Sequence, residues 1–539
     1  MNASTHQQND AGAKCLERLA EANPLTRLRG RSQFGAAKAL LSAALSPSVG
    51  ERDGVRGVRS RLALWKCCLQ YVLDRFAIVS FCALTLTSRA TPSGGDVDLD
   101  FNPTVNGSVV SFAVQPDDKV LIGGVFTNVN GVARTNIARL NADGSLDTSF
   151  QDGLPGVSGT VRSIVAQADG KVLIGGAFTN VNGVARTNIA RLHADGSLDT
   201  NFQSSASAVL CIAPQSDGGV VIGGGWNAAT GTVYYALLAR LNTNGIRDAS
   251  LQCSVAANCP SIWSCVQPSV NSVAAQADGK VLVGGLFTIV NGATRSAIVR
   301  LNADGSLDYS FTALNWQQEF GGLGSVNSIA IQPDGRILVG GIFNYLNATA
   351  RGNVARLNTN GTVDTNFLNG FDGADGNVNA VALQSDGKVL LGGVFSTVNG
   401  VARGGIARLN SDGSLDTRFQ NGMSGVSGGF ISYVQSVAVQ SDGKVLIAGG
   451  FTSVNGVARN GFARLHGSTP FFLSGCGVVS NQFGFDITGA SNDVVVVEAS
   501  TNFTDWLPLA TNTLGGTPLR FNDPAAPSFP KRFYRARLQ

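Results

Sequence analysis

Arginine and aspartate recur together, eight residues apart, along most of the chain, and such a pair can form a salt bridge. If a tight turn is centred on Asp143, Arg139 and Asp147 lie directly opposite each other on two antiparallel strands. Because one cross-strand ion pair contributes only about 0.2–1 kcal/mol, its repetition indicates a structural device rather than a reactive site. The pairs are Arg139/Asp147, Arg191/Asp199, Arg240/Asp248, Arg300/Asp308, Arg356/Asp364 and Arg408/Asp416.

A second arginine series occurs in loops, each arginine four residues after an asparagine. Two interpretations are open: the guanidinium binds loop carbonyls, or it faces a ligand. Loops on rigid folds often carry binding residues, so we take this series as candidate binding residues, together with Trp263 and Trp316 of two length-variable segments. The arginines are Arg134, Arg186, Arg295, Arg351, Arg403 and Arg459.

Residues typical of catalysis are scarce. Histidine occurs only at His6, His193 and His466, and the chain has neither an HExxH motif nor a Gly-x-Ser-x-Gly motif. Most aspartates occupy turn positions, where turn chemistry explains them. Asp372 and Asp375 are the carboxylate pair that a glycosidase could use. We therefore predict no catalytic residues and no cofactor, with a carbohydrate-active enzyme as the alternative.

The cysteines and the Asp-Gly turns are the residues that could support a disulfide or a metal site. Cys253, Cys259 and Cys265 lie in one insertion between repeats, where a disulfide is the expected pairing if the protein is exported. Zinc is disfavoured because paired CxxC spacing and histidines are missing. Calcium prefers six to eight oxygens, and each Asp-Gly turn offers about three side chains. We therefore predict no metal site.

Internal repeats dominate the chain after residue 95 and must supply the elements that position these residues. Each copy contains four short runs of strand type, A to D, with Asp-Gly turns between A and B and between C and D. Strand B ends in a glycine pair, which starts at Gly123, Gly175, Gly223, Gly284, Gly340, Gly392 and Gly449. Seven four-stranded copies of roughly 50 residues are typical of a seven-bladed β-propeller.

The repeat pattern resembles that of a known family. The pattern Gln-x-Asp-Gly-Lys-Val-Leu-Ile-Gly-Gly-x-Phe, then Val-Asn-Gly-x-x-Arg, then Ala-Arg-Leu-Asn-x-Asp-Gly-Ser-Leu-Asp-x-x-Phe is similar to the bacterial delta-60 repeat. The resemblance covers about residues 95–467 and implies a propeller in an exported or surface protein, without implying an activity. Copy 3 departs most, with Gly224-Gly225-Trp226 and with Tyr234-Tyr235 in place of the loop arginine.

The two ends of the repeat region complement each other. The last copy stops after Leu465, before its strand D, whereas Gly95–Phe101 aligns with strand D of the first copy, Gly144–Phe150. An open ring would leave strand edges unpaired. We therefore predict that residues 95–101 complete the last blade and place Asp98 opposite Arg464.

The remaining segments define the predicted domain organisation. Residues 1–90 form a basic leader whose segment 76–90 has the apolar core and basic flank of a secretory signal. Residues 91–467 form the propeller, and residues 468–539 contain several alternating segments that predict a small β-sandwich. No apolar run reaches the roughly 20 residues of a spanning helix. The chain beyond the leader lacks the basic cluster of a nucleic-acid-binding protein.

These observations together predict an all-β chain of 539 residues with 67 glycines. The function that fits them is an exported, non-enzymatic propeller scaffold, secreted or on the cell surface. We expect it to be monomeric and to bind a protein or a carbohydrate.

Overall fold

The structure is a computed structural model. It describes residues 94–538 except 231, 259–266, 313–315, 319–322, 348, 430, 468–471, 480–481, 490–493, 503–504, 516 and 530. The predicted leader, residues 1–90 with its signal-like segment 76–90, lies outside the described residues. Apart from one 3-10 turn at Ala526–Ser528, the regular structure in the described residues is β. No helix among them is long and apolar enough to cross a membrane.

Seven antiparallel A-B-C sheets follow one another along the chain, and each forms one blade. In blades 1 to 7, strand A is Ser108–Val114, Thr160–Ala166, Val209–Pro214, Ser269–Ala275, Ser325–Ile331, Asn377–Leu383 and Tyr433–Val439. Strand B is Val120–Val125, Val172–Ala177, Val220–Thr230, Val281–Leu286, Ile337–Ile342, Val389–Val394 and Val445–Gly450. Strand C is Ile137–Leu140, Ile189–Leu192, Val233–Leu241, Ile298–Leu301, Val354–Leu357, Ile406–Leu409 and Phe462–Leu465. The seven-bladed propeller predicted from the repeats is confirmed.

The fourth strand of each blade is short. In blade 1 it pairs with strand C through one bridge, Leu140 to Leu146, beside a hydrogen bond from the Asp147 N–H to the Arg139 carbonyl. The equivalent bridges are Leu192/Leu198, Leu241/Arg247, Leu301/Leu307, Leu357/Val363 and Leu409/Leu415.

Strand B lies at the centre of its blade, which explains its run of apolar residues. Residues 120–122 of blade 1 have no exposed surface. A Cβ on Gly123 would lie 2.6 Å from Val161 of the next blade, and a Cβ on Gly124 would lie 2.0 Å from the Ser108 carbonyl oxygen. The glycine pair therefore lets the next blade and the blade's own strand A approach strand B.

The ring is closed by the predicted N-terminal strand. Val97 bridges Leu465 in antiparallel register, and the Asp98 N–H donates to the Arg464 carbonyl at 2.8 Å. Phe101, which follows this strand, packs edge to face on Phe462 with ring centroids 5.8 Å apart. Seven apolar clusters lie between consecutive blades, and one of them joins blade 7 to blade 1. The closure predicted from the sequence is confirmed.

The connection between strands B and C contains a small hairpin that bends over the outer rim in six blades. In blade 1 the hairpin is Asn128–Val129 with Val132–Ala133, and Asn136 at its base has a left-handed φ of 62°. At the hairpin tip, Asn130 Nδ2 donates to the Gly144 carbonyl of the C–D turn at 3.1 Å. The other hairpins are Asn180–Val181/Val184–Ala185, Ile289–Val290/Ala293–Thr294, Tyr345–Leu346/Thr349–Ala350, Thr397–Val398/Val401–Ala402 and Ser453–Val454/Val457–Ala458.

The hairpin contacts two other connections of its own blade. It pairs with the D–A connection, where Val129 bridges Val105 and the Asn130 N–H donates to the Thr104 carbonyl. Its tip also reaches the C–D turn, because the chain folds back along the rim. The loop arginines therefore lie at the rim.

Blade 3 lacks the bend. Its strands Val220–Thr230 and Val233–Leu241 continue straight, and Val255–Asn258 adds to them to form a six-stranded sheet that ends in the blade 4 hairpin. Leu237 takes the position of Asn136 and does not have a positive φ. Leucine is less favourable than asparagine or glycine in the left-handed region, although Leu368 adopts a φ of 57°, and in blade 3 the strand continues instead of turning.

The C-terminal region forms two three-stranded antiparallel sheets that share one core. One sheet contains Phe472–Val479, Gln482–Thr488 and Leu519–Asp523, and the other contains Leu507–Thr513, Val494–Ser500 and Phe533–Leu538. Phe485 of the first sheet and Val495 and Val497 of the second have no exposed surface. This is the small β-sandwich predicted from the sequence.

Candidate functional site

Arg139 of blade 1 binds three structural elements at once. Its Nε donates to Asp147 Oδ2 at 2.8 Å, and its Nη1 donates to the Ala194 carbonyl of blade 2 at 2.7 Å. Its guanidinium carbon lies 4.8 Å from the centroid of the Phe150 ring. Lys119 Nζ adds a second cation 3.0 Å from Asp147. Each blade is therefore tied to the next through this arginine.

The same arrangement recurs around the ring. The Nε–carboxylate distances are 2.8 Å for Arg191/Asp199, 2.7 Å for Arg300/Asp308, 2.8 Å for Arg356/Asp364, 3.0 Å for Arg408/Asp416 and 2.9 Å for Arg464/Asp98. Blade 7 completes the cycle, because Arg464 Nη1 donates to the Ala142 carbonyl of blade 1. In these five pairs and in Arg139/Asp147 both side chains are buried.

Because the ion pairs are buried, breaking one costs more stability than the sequence alone predicted. A surface pair between two strands is worth a fraction of a kcal/mol, whereas removing one partner of a buried pair costs about 3–5 kcal/mol because the other charge is left unpaired. The sequence located the pairs, but the contacts with neighbouring blades that bury them lie far away in the chain.

The ion-pair carboxylates titrate below their ordinary range. Burial by itself raises the pKa of Asp364, but the hydrogen bond from Arg356 and the charges of Arg356 and Arg336 outweigh it, so the pKa is lowered. For Asp98, burial is likewise outweighed by Lys444 and Arg464, and the pKa is lowered. These carboxylates are therefore ionised and occupied by cations at neutral pH.

Blade 3 again differs. Arg240 Nε lies 2.7 Å from Asp248 Oδ2, but the Asp248 side chain is 34% exposed. Gly219 stands where other blades have a lysine or arginine, and Leu251 stands where they have the phenylalanine. The pair in this blade therefore lacks the second cation and the ring contact.

The loop arginines bind backbone carbonyls at the rim. Arg134 Nη1 donates to the Ala133 carbonyl at 2.9 Å, and its Nη2 lies 3.5 Å from the Thr148 carbonyl of strand D. Equivalent Nη1 bonds are made by Arg186, Arg295, Arg351, Arg403 and Arg459. This geometry matches the carbonyl-binding interpretation, and contact with a ligand stays a prediction.

Burial sets the electrostatics of this series. Arg134, Arg351, Arg403 and Arg459 are buried, whereas Arg186 and Arg295 are half-buried. Burial lowers the pKa of Arg351, Arg403 and Arg459, against the opposing charge of the ion-pair aspartate in the same blade. Each of these guanidiniums is therefore close enough to the ion pair of its blade to be attracted by the aspartate carboxylate.

The two candidate tryptophans and the candidate disulfide have different outcomes. Trp316 is 1% exposed and packs edge to face on Phe343, so it is part of the core between blades 4 and 5 rather than a surface residue as expected. Trp263, Cys259 and Cys265 lie outside the described residues. Cys253 has a free thiol, and burial raises its pKa to about 12. A disulfide among the cysteines of this insertion stays a prediction.

A ring of residues that sequence reasoning missed lies near the start of the seven A strands. Each strand A lies beside the A strands of two adjacent blades and contains a β-bulge near its start. Asn271 Nδ2 donates to Asn327 Oδ1 at 3.3 Å, and Asn379 Nδ2 donates to the Val434 carbonyl at 3.0 Å. The bulged residues, which we call the mouth ring, are Val110, Arg162, Leu210, Asn271, Asn327, Asn379 and Gln435.

The mouth ring could have been found from the sequence. Its position is flanked on both sides by residues that hardly change from copy to copy, yet it carries apolar, amide and guanidinium side chains. Arg162 and Gln435 are exposed, as are Leu323 and Ile431, each two residues before a strand A. The axial face on which the A strands begin is therefore the chemically distinctive surface.

The carboxylate pair considered for catalysis is partly used by the fold. Asp375 Oδ1 accepts hydrogen bonds from the N–H groups of Ser396 and Thr397, at 2.8 and 3.0 Å. Asn106 does the same for its hairpin in blade 1. Among the described residues, no group of three or more His, Cys, Asp or Glu side chains is arranged to hold a metal ion.

Seven segments match one protein-family model, which is described as a domain of unknown function (DUF5122) and a β-propeller. The matched segments are residues 115–150, 167–202, 215–251, 276–311, 332–367, 384–419 and 440–467. They fall one in each blade, from the end of strand A to the start of the next D–A connection. No curated protein matches the sequence.

Several solved structures are similar at low identity. A catalytically inactive variant of virginiamycin B lyase from Staphylococcus aureus, crystallised with quinupristin, is 13% identical, with a TM-score of 0.36 and with 66% of this chain and 94% of that chain covered. The Dos1 propeller is 10% identical, with a TM-score of 0.38 and coverages of 68% and 94%. A glycoside hydrolase is 11% identical, with a TM-score of 0.20 and coverages of 70% and 93%.

Proposed function

We propose that this β-propeller repeat protein is an exported, non-enzymatic scaffold that binds a partner protein at the axial face where the A strands begin. The observation that carries the proposal is the mouth ring. Elsewhere six of the seven blades repeat nearly the same residues for the same structural purpose, whereas this ring carries valine, arginine, leucine, asparagine and glutamine at equivalent positions. A surface that varies on an otherwise repeated framework is typical of a binding site.

The chemistry of the mouth ring favours a protein partner. On the same face, exposed Leu323 and Ile431 lie just before two A strands and supply apolar contact, and Arg162 of the ring supplies a planar donor of the kind enriched at protein interfaces. The amides of Asn271 and Asn379 are held by neighbouring blades, so they lose little freedom on binding. A carbohydrate would use the amides but not the apolar pair.

The non-enzymatic part of the proposal rests on the occupied carboxylates. The buried aspartates are paired with arginine, and Asp375 caps a hairpin. A glycosidase needs two carboxyl groups whose pKa values differ, one of them raised. Asp98 and Asp364 are shifted in the opposite direction.

Export is supported by the signal-like segment 76–90 and by the repeat type. We expect the mature protein to begin near Thr91 and to be secreted or held at the cell surface, as a monomer. Mass spectrometry of the native protein tests this, and recovery of intact residues 1–90 on a cytoplasmic protein would contradict it.

The binding proposal is tested with a double variant of the mouth, Arg162→Ala with Ile431→Ser. Wild-type protein, the double variant and Leu507→Ser, an exposed control in the C-terminal sandwich, are each offered the envelope proteins of the producing cell and a glycan panel. We expect a captured protein whose binding falls at least tenfold in the double variant and is unchanged in the control.

Two results would overturn the proposal. Equal capture by the double variant and wild type would remove the mouth from the binding site. Hydrolysis of a panel glycan that is abolished by Asp372→Asn would replace the scaffold with the carbohydrate-active alternative.

A further inference from the structure

Blade 3 contains a cavity of about 560 Å³ on its outer side. Its floor is apolar and is formed by Ile222 of strand B and by Leu237, Ala239 and Leu241 of strand C. Its rim is mostly polar and is formed by residues 203–207 of the D–A connection and residues 245–247 of the C–D turn, with Ala206 and Ile246 as apolar members. The volume lies within the range of ligand pockets, which is about 300–1,000 Å³.

The cavity occupies the place that the bent hairpin fills in the other blades. In blade 1 the hairpin lays Val129 against the D–A connection, where Val129 bridges Val105, and it covers Phe126. Val129 has no exposed surface and Phe126 is 3% exposed. In blade 3 the hairpin runs straight into a sheet with Val255–Asn258, so it is held away from the rim.

A shorter connection does not by itself explain the cavity. Phe101 to Val105 and Phe202 to Ala206 span the same number of residues, and the connection into blade 3 is one residue shorter only beyond them, because Val209 follows Ala206 by three positions whereas Val109 follows Val105 by four. Blade 1 has a filled core because Phe126, just before its bent hairpin, and Val129, within it, pack there. The cavity therefore results from the missing hairpin.

The missing hairpin leaves hydrogen-bonding groups without partners. In blade 2 the Gly196 carbonyl accepts from Asn182 Nδ2 at 2.9 Å and from Gln151 Nε2 at 2.6 Å. The equivalent Gly245 carbonyl of blade 3 accepts from no described residue, although Gly245 is buried. The Ser207 hydroxyl oxygen is also buried, and it has no partner in the part of the chain that the structure describes.

The backbone of the connection is unpaired at the same place. In blade 1 the Thr104 N–H donates to Asn130 Oδ1 at 2.7 Å, and the Thr104 carbonyl accepts from the Asn130 N–H at 2.8 Å. Ser205 takes the position of Thr104 in blade 3, and neither its N–H nor its carbonyl bonds to a described residue. An unpaired edge beside an apolar floor is the geometry that accepts an added strand.

We infer that blade 3 is a docking slot for an extended segment of a partner protein, one that imitates the hairpin of the other six blades. The hairpins of the other blades define the chemistry of the occupant. The docked segment presents two large apolar side chains three residues apart, as Phe178 and Val181 do in blade 2. These are followed by an Asn-Gly turn whose asparagine binds the Gly245 carbonyl.

Arg247 refines this chemistry. Other blades have leucine or valine at this position, for example Leu198 in blade 2. The Arg247 guanidinium is at the rim of the cavity and has no ion-pair or hydrogen-bond partner among the described residues. The favoured segment therefore carries an acidic residue near its turn. This site is separate from the mouth ring and does not depend on it.

The test uses a synthetic peptide with the sequence of residues 178–188, FTNVNGVARTN, labelled for fluorescence anisotropy. We expect saturable binding to the full-length protein. A control peptide with serine at the positions of Phe178 and Val181 should bind at least tenfold more weakly. A peptide with aspartate in place of the arginine that corresponds to Arg186 should bind more tightly than the parent.

Protein variants locate the site. Ser205→Pro removes a backbone donor that the folded protein does not use, so it should leave the melting temperature unchanged and weaken the peptide at least tenfold. Ile431→Ser, at the mouth, should leave peptide affinity unchanged. Hydrogen exchange should show protection of residues 203–207 and 245–247 when the peptide is bound.

Several outcomes would overturn the inference. They are no saturable binding at millimolar peptide, equal binding of the serine-substituted peptide, or protection confined to other blades. If Ser205→Pro does not fold, the peptide pair and the exchange pattern decide. A dimer of the protein that dissociates when the peptide is added would identify a second copy of the chain as the occupant. That result would contradict a separate partner.

Discussion

Blade 7 and blade 3 are both irregular, but in opposite ways. Blade 7 is interrupted in the chain, since its fourth strand comes from residues 94–101, yet it keeps every contact of the repeat: the ion pair, the lysine and the phenylalanine. Blade 3 is continuous, yet it has lost the lysine, the phenylalanine contact and the bent hairpin. A blade of this ring is therefore regular when it keeps the repeated contacts, whether or not its four strands are continuous in the chain.

The difference shows where the fold tolerates change. The closing blade joins two ends that would otherwise separate, so every contact there holds the ring together. Blade 3 lies within a continuous run and is tied to blade 4 by the strand Val255–Asn258. It can therefore lose its rim contacts without opening the ring.

Deletion of residues 91–101 should have the largest effect. It removes Phe101, which has no exposed surface, and it leaves Arg464 without Asp98. We expect a loss of at least about 6 kcal/mol in the free energy of unfolding, the combined cost of a deleted buried ring and a broken buried pair. Urea denaturation measures it, with deletion of residues 1–90 as the control. Equal stability of the two deletions would show that the strand does not close the ring.

Arginine removal compares the two blades directly. Arg464→Ala should cost up to about 3–5 kcal/mol, because buried Asp98 keeps only the Lys444 contact at 2.9 Å and blade 7 loses its bond to the Ala142 carbonyl. Arg240→Ala should cost clearly less, since Asp248 is accessible to water. The midpoints of denaturant unfolding measure both effects. A similar loss in the two variants would mean that burial of the pair does not set its weight.

Substitution of Asn136, the residue at the base of the blade 1 hairpin, should turn a regular blade into one like blade 3. Asn136→Leu places leucine at a φ of 62° and removes the side-chain bonds to the Phe126 N–H and the Val157 carbonyl, at 2.8 Å each. We expect a loss of about 2–4 kcal/mol. Asn136→Gly, which keeps the conformation, should cost less. If leucine and glycine destabilise equally, the backbone angle is not the reason for the bend.

The acid sensitivity of one carboxylate should give the smallest effect. The pKa of Asp364 is lowered in the folded protein, so folding favours the ionised form, and the stability it contributes is present at neutral pH and lost as the pH falls below about 5. Asp364→Asn should therefore reduce the loss of stability between pH 7 and pH 3. Asp248→Asn in blade 3 serves as the comparison, and a larger change there would reverse the expected order.

The sequence predicted the features that repeat or that complement each other locally. The alignment of Gly95–Phe101 with Gly144–Phe150 was enough to predict the closing strand. The spacing of Arg139 and Asp147 was enough to predict their pairing. Their burial was not predictable, because it depends on Ala194 and other residues of the next blade, about 50 residues away.

The bend of the hairpin was missed although its signal is present. The residue before strand C is asparagine, glycine or alanine in six copies, and the equivalent residue of the third copy is Leu237, which lies within the longer strand C of blade 3. A single residue outside the regular strands has no periodicity that marks it in the sequence. The cavity of blade 3 was missed for the same reason, since it follows from the residue that fails to turn.

The closing strand also sets an order in time. Asp98 and Arg464 are separated by 366 residues, and at about 5–20 residues per second a ribosome needs roughly 20 to 70 s to synthesise the second after the first. During that interval the strand formed by residues 95–101 cannot pair with strand C of blade 7, because that strand has not yet been synthesised. Its three aspartates, at positions 96, 98 and 100, keep it charged and discourage pairing with a wrong edge while it waits.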